Sequence, residues 1–153
     1  MNREHKYELA SDNQLRTLSH IGMFQKELPK PPSALASYPD PLHPTADLAT
    51  RAKTYLHVNC SMCHVSDGGG NSMIELGYKT PLDKSRMLNE PPMHETFGIA
   101  NALLVAPGDS ARSVLHHRMN IRGTGQMPPT SSNRVDEAGA ALLRDWINKL
   151  PPR

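Results

Sequence analysis

Apolar residues in this chain recur at helical spacing in four places and are scattered elsewhere. Leu15, Leu18 and Ile21 fall at three-residue steps, with Asp12 placed to cap and Gly22 to stop a short amphipathic helix over residues 12–21. Pro29, Pro31, Pro32, Pro39, Pro41 and Pro44 follow. Each fixes φ and removes a backbone donor, so this stretch predicts an extended strap, with Leu35, Tyr38 and Leu42 as apolar docking points. A second helix opens behind Thr45, an N-cap residue, with Asp47 at the positive end of the dipole. It carries Leu48, Ala52, Tyr55 and Leu56 towards residue 60. Pro81, Pro91, Pro92 and Pro107 break any long element over residues 72–108. Asp109 begins a third helix over 110–119, with Val114 and Leu115 inward and Arg112 and Arg118 outward. Asp136 caps a fourth that runs to Lys149, with Ala140, Leu143, Ile147 and Leu150 at core spacing beside Leu142 and Trp146. The pattern predicts an all-α domain over residues 45–153 and an extended Pro-rich arm over 1–44. Leu15, Leu18, Ile21, Phe24, Leu35 and Tyr38 recur too regularly for a solvated linker, so the arm is expected to pack on the core.

A chain of 153 residues supports one domain with such an arm. Its hydrophobic content of 37% and aromatic content of 5% leave a thin core, consistent with packing around a large buried apolar group and equally with a Pro-rich, partly irregular chain. The net charge of +2 comes with no basic patch interleaved with aromatics, so nucleic acid is not an expected partner. No apolar run reaches transmembrane length, and the opening Met1-Asn2-Arg3-Glu4-His5-Lys6 is not a signal peptide.

The two cysteines of the chain both lie in Cys60-Ser61-Met62-Cys63-His64. C-x-x-C-H is the attachment motif of a c-type haem: two thiols add to the porphyrin vinyls and the adjacent imidazole coordinates iron. On a helix the i, i+3 and i+4 positions share a face, so Cys60, Cys63 and His64 can meet one macrocycle. A redox dithiol would call for a βαβ pattern, which is not visible. A zinc site would need two more ligands, and His57 and His94 form no recognisable pair. A simple disulfide leaves the histidine unexplained. Covalent haem chemistry belongs outside the cytoplasm, so the expected location is periplasmic or otherwise extracytoplasmic, and the chain is expected to be a piece of a longer exported protein.

A haem that carries electrons has both axial positions filled. Met127 is the expected distal ligand, since Gly123-Thr124-Gly125-Gln126-Met127-Pro128-Pro129 is a loop whose prolines restrain the backbone behind the thioether. Core gap-filling is the competing role for any methionine. Among the rival histidines, His57 is too close to the motif, and His116 and His117 share a helix on which one must face solvent. Only His94 sits in an irregular segment.

The order helix, C-x-x-C-H, long loop, helix, Met-Pro-Pro loop and C-terminal aromatic helix resembles the class I cytochrome c family. Tyr55-Leu56-His57-Val58-Asn59-Cys60, Ala106-Pro107-Gly108-Asp109-Ser110-Ala111-Arg112-Ser113, Gln126-Met127-Pro128-Pro129 and Leu143-Arg144-Asp145-Trp146-Ile147 are similar to the C-terminal cytochrome modules of large exported bacterial modular proteins. Asn13-Gln14-Leu15-Arg16-Thr17-Leu18 and Leu28-Pro29-Lys30-Pro31 extend that likeness into the arm. The resemblance implies a small class I helical fold around one covalent haem c, with thioethers at Cys60 and Cys63, His64 proximal and Met127 distal. It implies an electron-carrier module, not itself an enzyme, whose partners are redox donor and acceptor proteins or a fused upstream domain. A haem enzyme or gas sensor with an open distal site is the alternative, and a structural module folded around haem is a third. No glycine follows His64, and a backbone oxygen near a proline is the usual partner for the proximal imidazole.

Overall fold

The computed structural model describes residues 2–152 and divides the chain into two compact units, Met1–Pro39 and Asp40–Arg153. In the first, strands β1 (Glu4–Lys6) and β2 (Ser11–Asn13) pair antiparallel, with Glu4 opposite Asn13 and Lys6 opposite Ser11. These strands are polar and lack apolar alternation, so nothing in their pattern announces them. The ladder is secured from outside instead. Asn13 Nδ2 donates to Asn2 Oδ1 at 2.9 Å, and Asn2 Nδ2 donates to the Pro32 and Leu35 carbonyls, each at 2.9 Å. The strap thus runs alongside the strands within its own unit, with one short 3-10 turn at Pro32–Ala34. Helix α1 (Gln14–His20) is capped by Asn13, whose side chain accepts from the Leu15 N–H, and not by Asp12, which pairs with Arg16 at 2.8 Å. Gly22, at φ +71°, follows its end.

The second unit is built on α2 (Leu48–Cys60) and α4 (Glu137–Lys149), which pack together, with α3 (Val114–Asn120) against α4. Ala52, Tyr55 and Leu56 of α2 meet Leu142, Leu143, Trp146 and Ile147 of α4 in one core, joined by Ile74, Leu76, Met87 and Val105 from the irregular segment. The N-cap of α2 is Asp47 and not Thr45: its carboxylate accepts from the Thr50 N–H at 2.8 Å, which holds its pKa below the ordinary carboxylate value. Asp136 caps α4 through the Gly139 N–H at 3.0 Å and also accepts from the Tyr55 hydroxyl at 2.8 Å, tying the two helices where they cross. Gly139 is required there, because a Cβ would stand 2.2 Å from the Tyr55 ring. The segment expected as one helix over 110–119 splits into a 3-10 turn, Ser110–Arg112, capped by Asp109, and then α3. Arg118 is half-buried and lies over the Phe97 ring at 4.8 Å, so it is not the outward residue expected.

The all-α expectation is therefore corrected. Among the described residues there are four α-helices and a two-stranded antiparallel sheet, with 32% of residues helical. Proline-punctuated segments pack as irregular chain, joined by isolated bridges at Leu88–Val105 and Leu103–Ser113. Among the described residues, no helix is long and apolar enough to cross a membrane.

Candidate functional site

Helix α2 ends at Cys60, so the rest of the motif lies in the turn that follows it. That turn is closed by one acceptor: the Cys60 carbonyl takes the Cys63 N–H at 3.1 Å and the His64 N–H at 2.9 Å. The helical i, i+3, i+4 relation expected of the motif is thus kept by a single turn beyond the helix. Cys60 is half-buried at the margin of the core, Cys63 is exposed, and His64 is half-buried between solvent and the chain that follows.

The environment of the thiols separates two kinds of chemistry. Burial, with Cys63 adding like charge, pushes the Cys60 thiol up to about 11. Its place at a helix C-terminus, the negative end of the dipole, acts in the same direction. A redox dithiol needs a depressed thiol pKa at a helix N-terminus or beside a cation. Among the described residues, no group of three or more His, Cys, Asp or Glu side chains could hold a metal ion, so the pair lacks the further ligands of a zinc site.

Burial also lowers the pKa of His64, which keeps its imidazole neutral, the form that ligates iron. The Nδ1 of His64 is buried and takes no hydrogen bond. Among the described residues, no backbone carbonyl bonds this nitrogen. The ring is instead hemmed in by the glycine run over residues 68–70. The Gly70 N–H donates to the Cys63 carbonyl at 2.8 Å. A Cβ on Gly70 would lie 2.5 Å from that oxygen and 2.9 Å from His64 Nδ1, and one on Gly68 would lie 2.7 Å from the same oxygen. Only glycine allows this loop to lie so close to the motif. Further on, the Leu76 N–H donates to the His64 carbonyl at 2.8 Å, anchoring the turn from the other side.

Met127 is positioned separately, in the loop between α3 and α4. Its N–H donates to the Arg118 carbonyl at 2.9 Å, its peptide to Pro128 is cis, and its side chain is half-buried while Pro128 and Pro129 are exposed. The described contacts link this loop to α3 and not to the motif. The structure thus brings Cys60, Cys63 and His64 together and presents Met127 from a different element. Two of the rival histidines are otherwise engaged: His94 Nε2 bonds the Asn71 carbonyl at 2.9 Å, and His57 Nδ1 accepts from the Tyr78 N–H at 3.2 Å. Two surface clefts, one beside Arg122 and Asp136 and one between α2 and Tyr78, are lined by neither the motif nor Met127.

The residues present fit a covalently held haem. Two thiols and a neutral imidazole share one closed turn, the imidazole is held by packing, and Cys60 packs against the same apolar core as half-buried Leu104, Leu115 and Met119. Sequence reasoning missed Gly68 and Gly70 as neighbours of the motif; three consecutive glycines four residues after it were the available signal. No protein-family model, curated protein or solved structure matches the chain.

Proposed function

We propose that this chain is an electron-transfer module carrying one c-type haem, with Cys60 and Cys63 as the thioether residues, His64 as proximal ligand and Met127 as distal ligand. The observation that carries the reading is the turn closed on the Cys60 carbonyl, which gathers two thiols and a neutral, half-buried imidazole. The raised Cys60 pKa favours a structural fate for the thiol over redox exchange. When bound, the haem supplies a one-electron couple, and a thioether ligand favours its ferrous form over ferric.

The chain's own residues then have distinct parts. Cys60 and Cys63 fix the group to the end of α2. The glycine loop restrains the His64 ring, and the Met127 loop presents a neutral soft donor. Such a module works outside the cytoplasm, as part of a larger exported redox protein or with separate donor and acceptor partners. Acid-acetone extraction of the coloured holoprotein tests the reading directly. The porphyrin should stay on the polypeptide, and changing both Cys60 and Cys63 to Ala should release it. Colour that partitions into solvent from the unmodified protein refutes covalent attachment. Carbon monoxide binding to the ferrous protein would point to a gas sensor or haem enzyme.

A further inference from the structure

We infer that Gln126 is the positioning residue for Met127, a role that rests on the ligand assignment proposed above. Its side chain spends its amide inside the loop. Gln126 Oε1 accepts from the Gly123 N–H at 2.7 Å, and Nε2 donates to the Pro128 carbonyl at 2.9 Å and to the Ser132 carbonyl at 2.8 Å. One half-buried side chain therefore joins the start of the loop, the residue directly after Met127 and the return towards α4. An amide is the group that can do this, since it offers a carbonyl acceptor and two N–H donors on one planar end.

The frame around this stitch leaves little else to move. Arg118 Nη1 donates to the Gly125 carbonyl at 3.1 Å, while the Arg118 carbonyl accepts from the Met127 N–H. Arg122 closes the base: Nη1 donates to the Met119 carbonyl at 3.1 Å and to that of Ile121, and Nη2 donates to the Arg134 carbonyl. Gly125 fits under the Phe97 ring, where a Cβ would approach within 2.5 Å. Both flanks of Met127 are thereby fixed: Arg122 and Gln126 each bond the chain before and after it, and of the two it is Gln126 that reaches the adjoining residue, Pro128. A loop fixed in this way holds its sulfur in one place through a change of iron charge.

The test compares Gln126→Glu, Gln126→Ala and Met127→Ala holoproteins with the parent. Glu keeps the acceptor but turns both donors into an oxygen facing two carbonyls. Ala removes all three bonds without that repulsion. Both Gln126 variants should weaken the ferric thioether-to-iron charge-transfer band, lower the pH at which it is lost, and admit carbon monoxide to the ferrous protein. Thermal unfolding should report that the helices remain folded. If Met127→Ala abolishes the band while both Gln126 variants leave band, pH of loss and potential unchanged, the positioning role is wrong and the ligand assignment stands. If Met127→Ala leaves the band unchanged, the ligand assignment itself is wrong.

Discussion

Replacing Gly70 by Ala puts a methyl group 2.5 Å from the Cys63 carbonyl oxygen and 2.9 Å from His64 Nδ1. To reach an ordinary contact of 3.4 Å the loop must retreat by about 0.9 Å, and the obstacle is backbone, which cannot rotate away. The same retreat stretches the 2.8 Å bond from the Gly70 N–H to that oxygen beyond hydrogen-bond range. Overpacking of this kind costs about 1–3 kcal/mol, and a lost hydrogen bond adds about 1 kcal/mol. Reduced freedom of the unfolded chain returns about 0.4–1 kcal/mol, leaving a net loss of roughly 2 kcal/mol. For a unit of this size that is a fall in Tm on the order of 8 °C. Gly69 is the control. Its φ of +79° makes Ala strained by about 1–2 kcal/mol, but nothing lies within 4 Å of the added methyl. In the holoprotein proposed above, thermal unfolding followed by absorbance and the ferric EPR g-values should therefore separate the two variants. Gly69→Ala should lose stability with unchanged g-values, whereas Gly70→Ala should lose stability and shift them, because its methyl pushes on the His64 ring. Equal stability loss with identical g-values in both would show that the glycine loop does not orient His64.

At the helix crossing, Gly139→Ala should destabilise the protein by about 2 kcal/mol in guanidinium unfolding, although helix propensity alone favours Ala by about 1 kcal/mol. In a Tyr55→Leu background, which removes the ring that the Cβ would strike at 2.2 Å, the same change should become neutral or stabilising; an unchanged penalty there would discard the collision as its cause. His116 gives a pH prediction. Burial, with Arg144 and His117 adding like charge against weaker favourable contacts to the Ser110 and Ala140 backbone, holds its pKa below the ordinary 6.5. The unfolded chain therefore takes up this proton first as pH falls. The stabilising contribution is complete above about pH 6.5 and declines as pH drops towards the lowered folded value. His116→Gln should flatten the stability profile between pH 7 and pH 5, and an unaltered slope would assign that dependence to another group.

The helices that carry the site were legible because their signals are local. Asp136 followed by Ala140, Leu143 and Ile147 at core spacing specifies α4 whatever surrounds it, and the spacing of Cys60, Cys63 and His64 specifies a turn that can present all three. Where several capping residues compete, pattern alone could not choose. Asp47 displaced Thr45 because its carboxylate reaches the Thr50 N–H, and Asn13 displaced Asp12 for the corresponding reason at Leu15. Strands β1 and β2 escaped notice because they depend on Asn2, Asn13 and the strap carbonyls, bonds between residues up to 34 positions apart, and not on apolar alternation. The glycine run shows the same limit. Flexibility is what three glycines declare along the chain, yet Gly68 and Gly70 are there because their missing side chains let backbone lie against the Cys63 carbonyl and the His64 ring. Sequence by itself determined which groups could do chemistry and which helices would carry them. Tertiary structure decided what holds those groups still, because a close approach of backbone to backbone, or one amide stitching a loop through three of its own backbone groups, leaves no periodic trace.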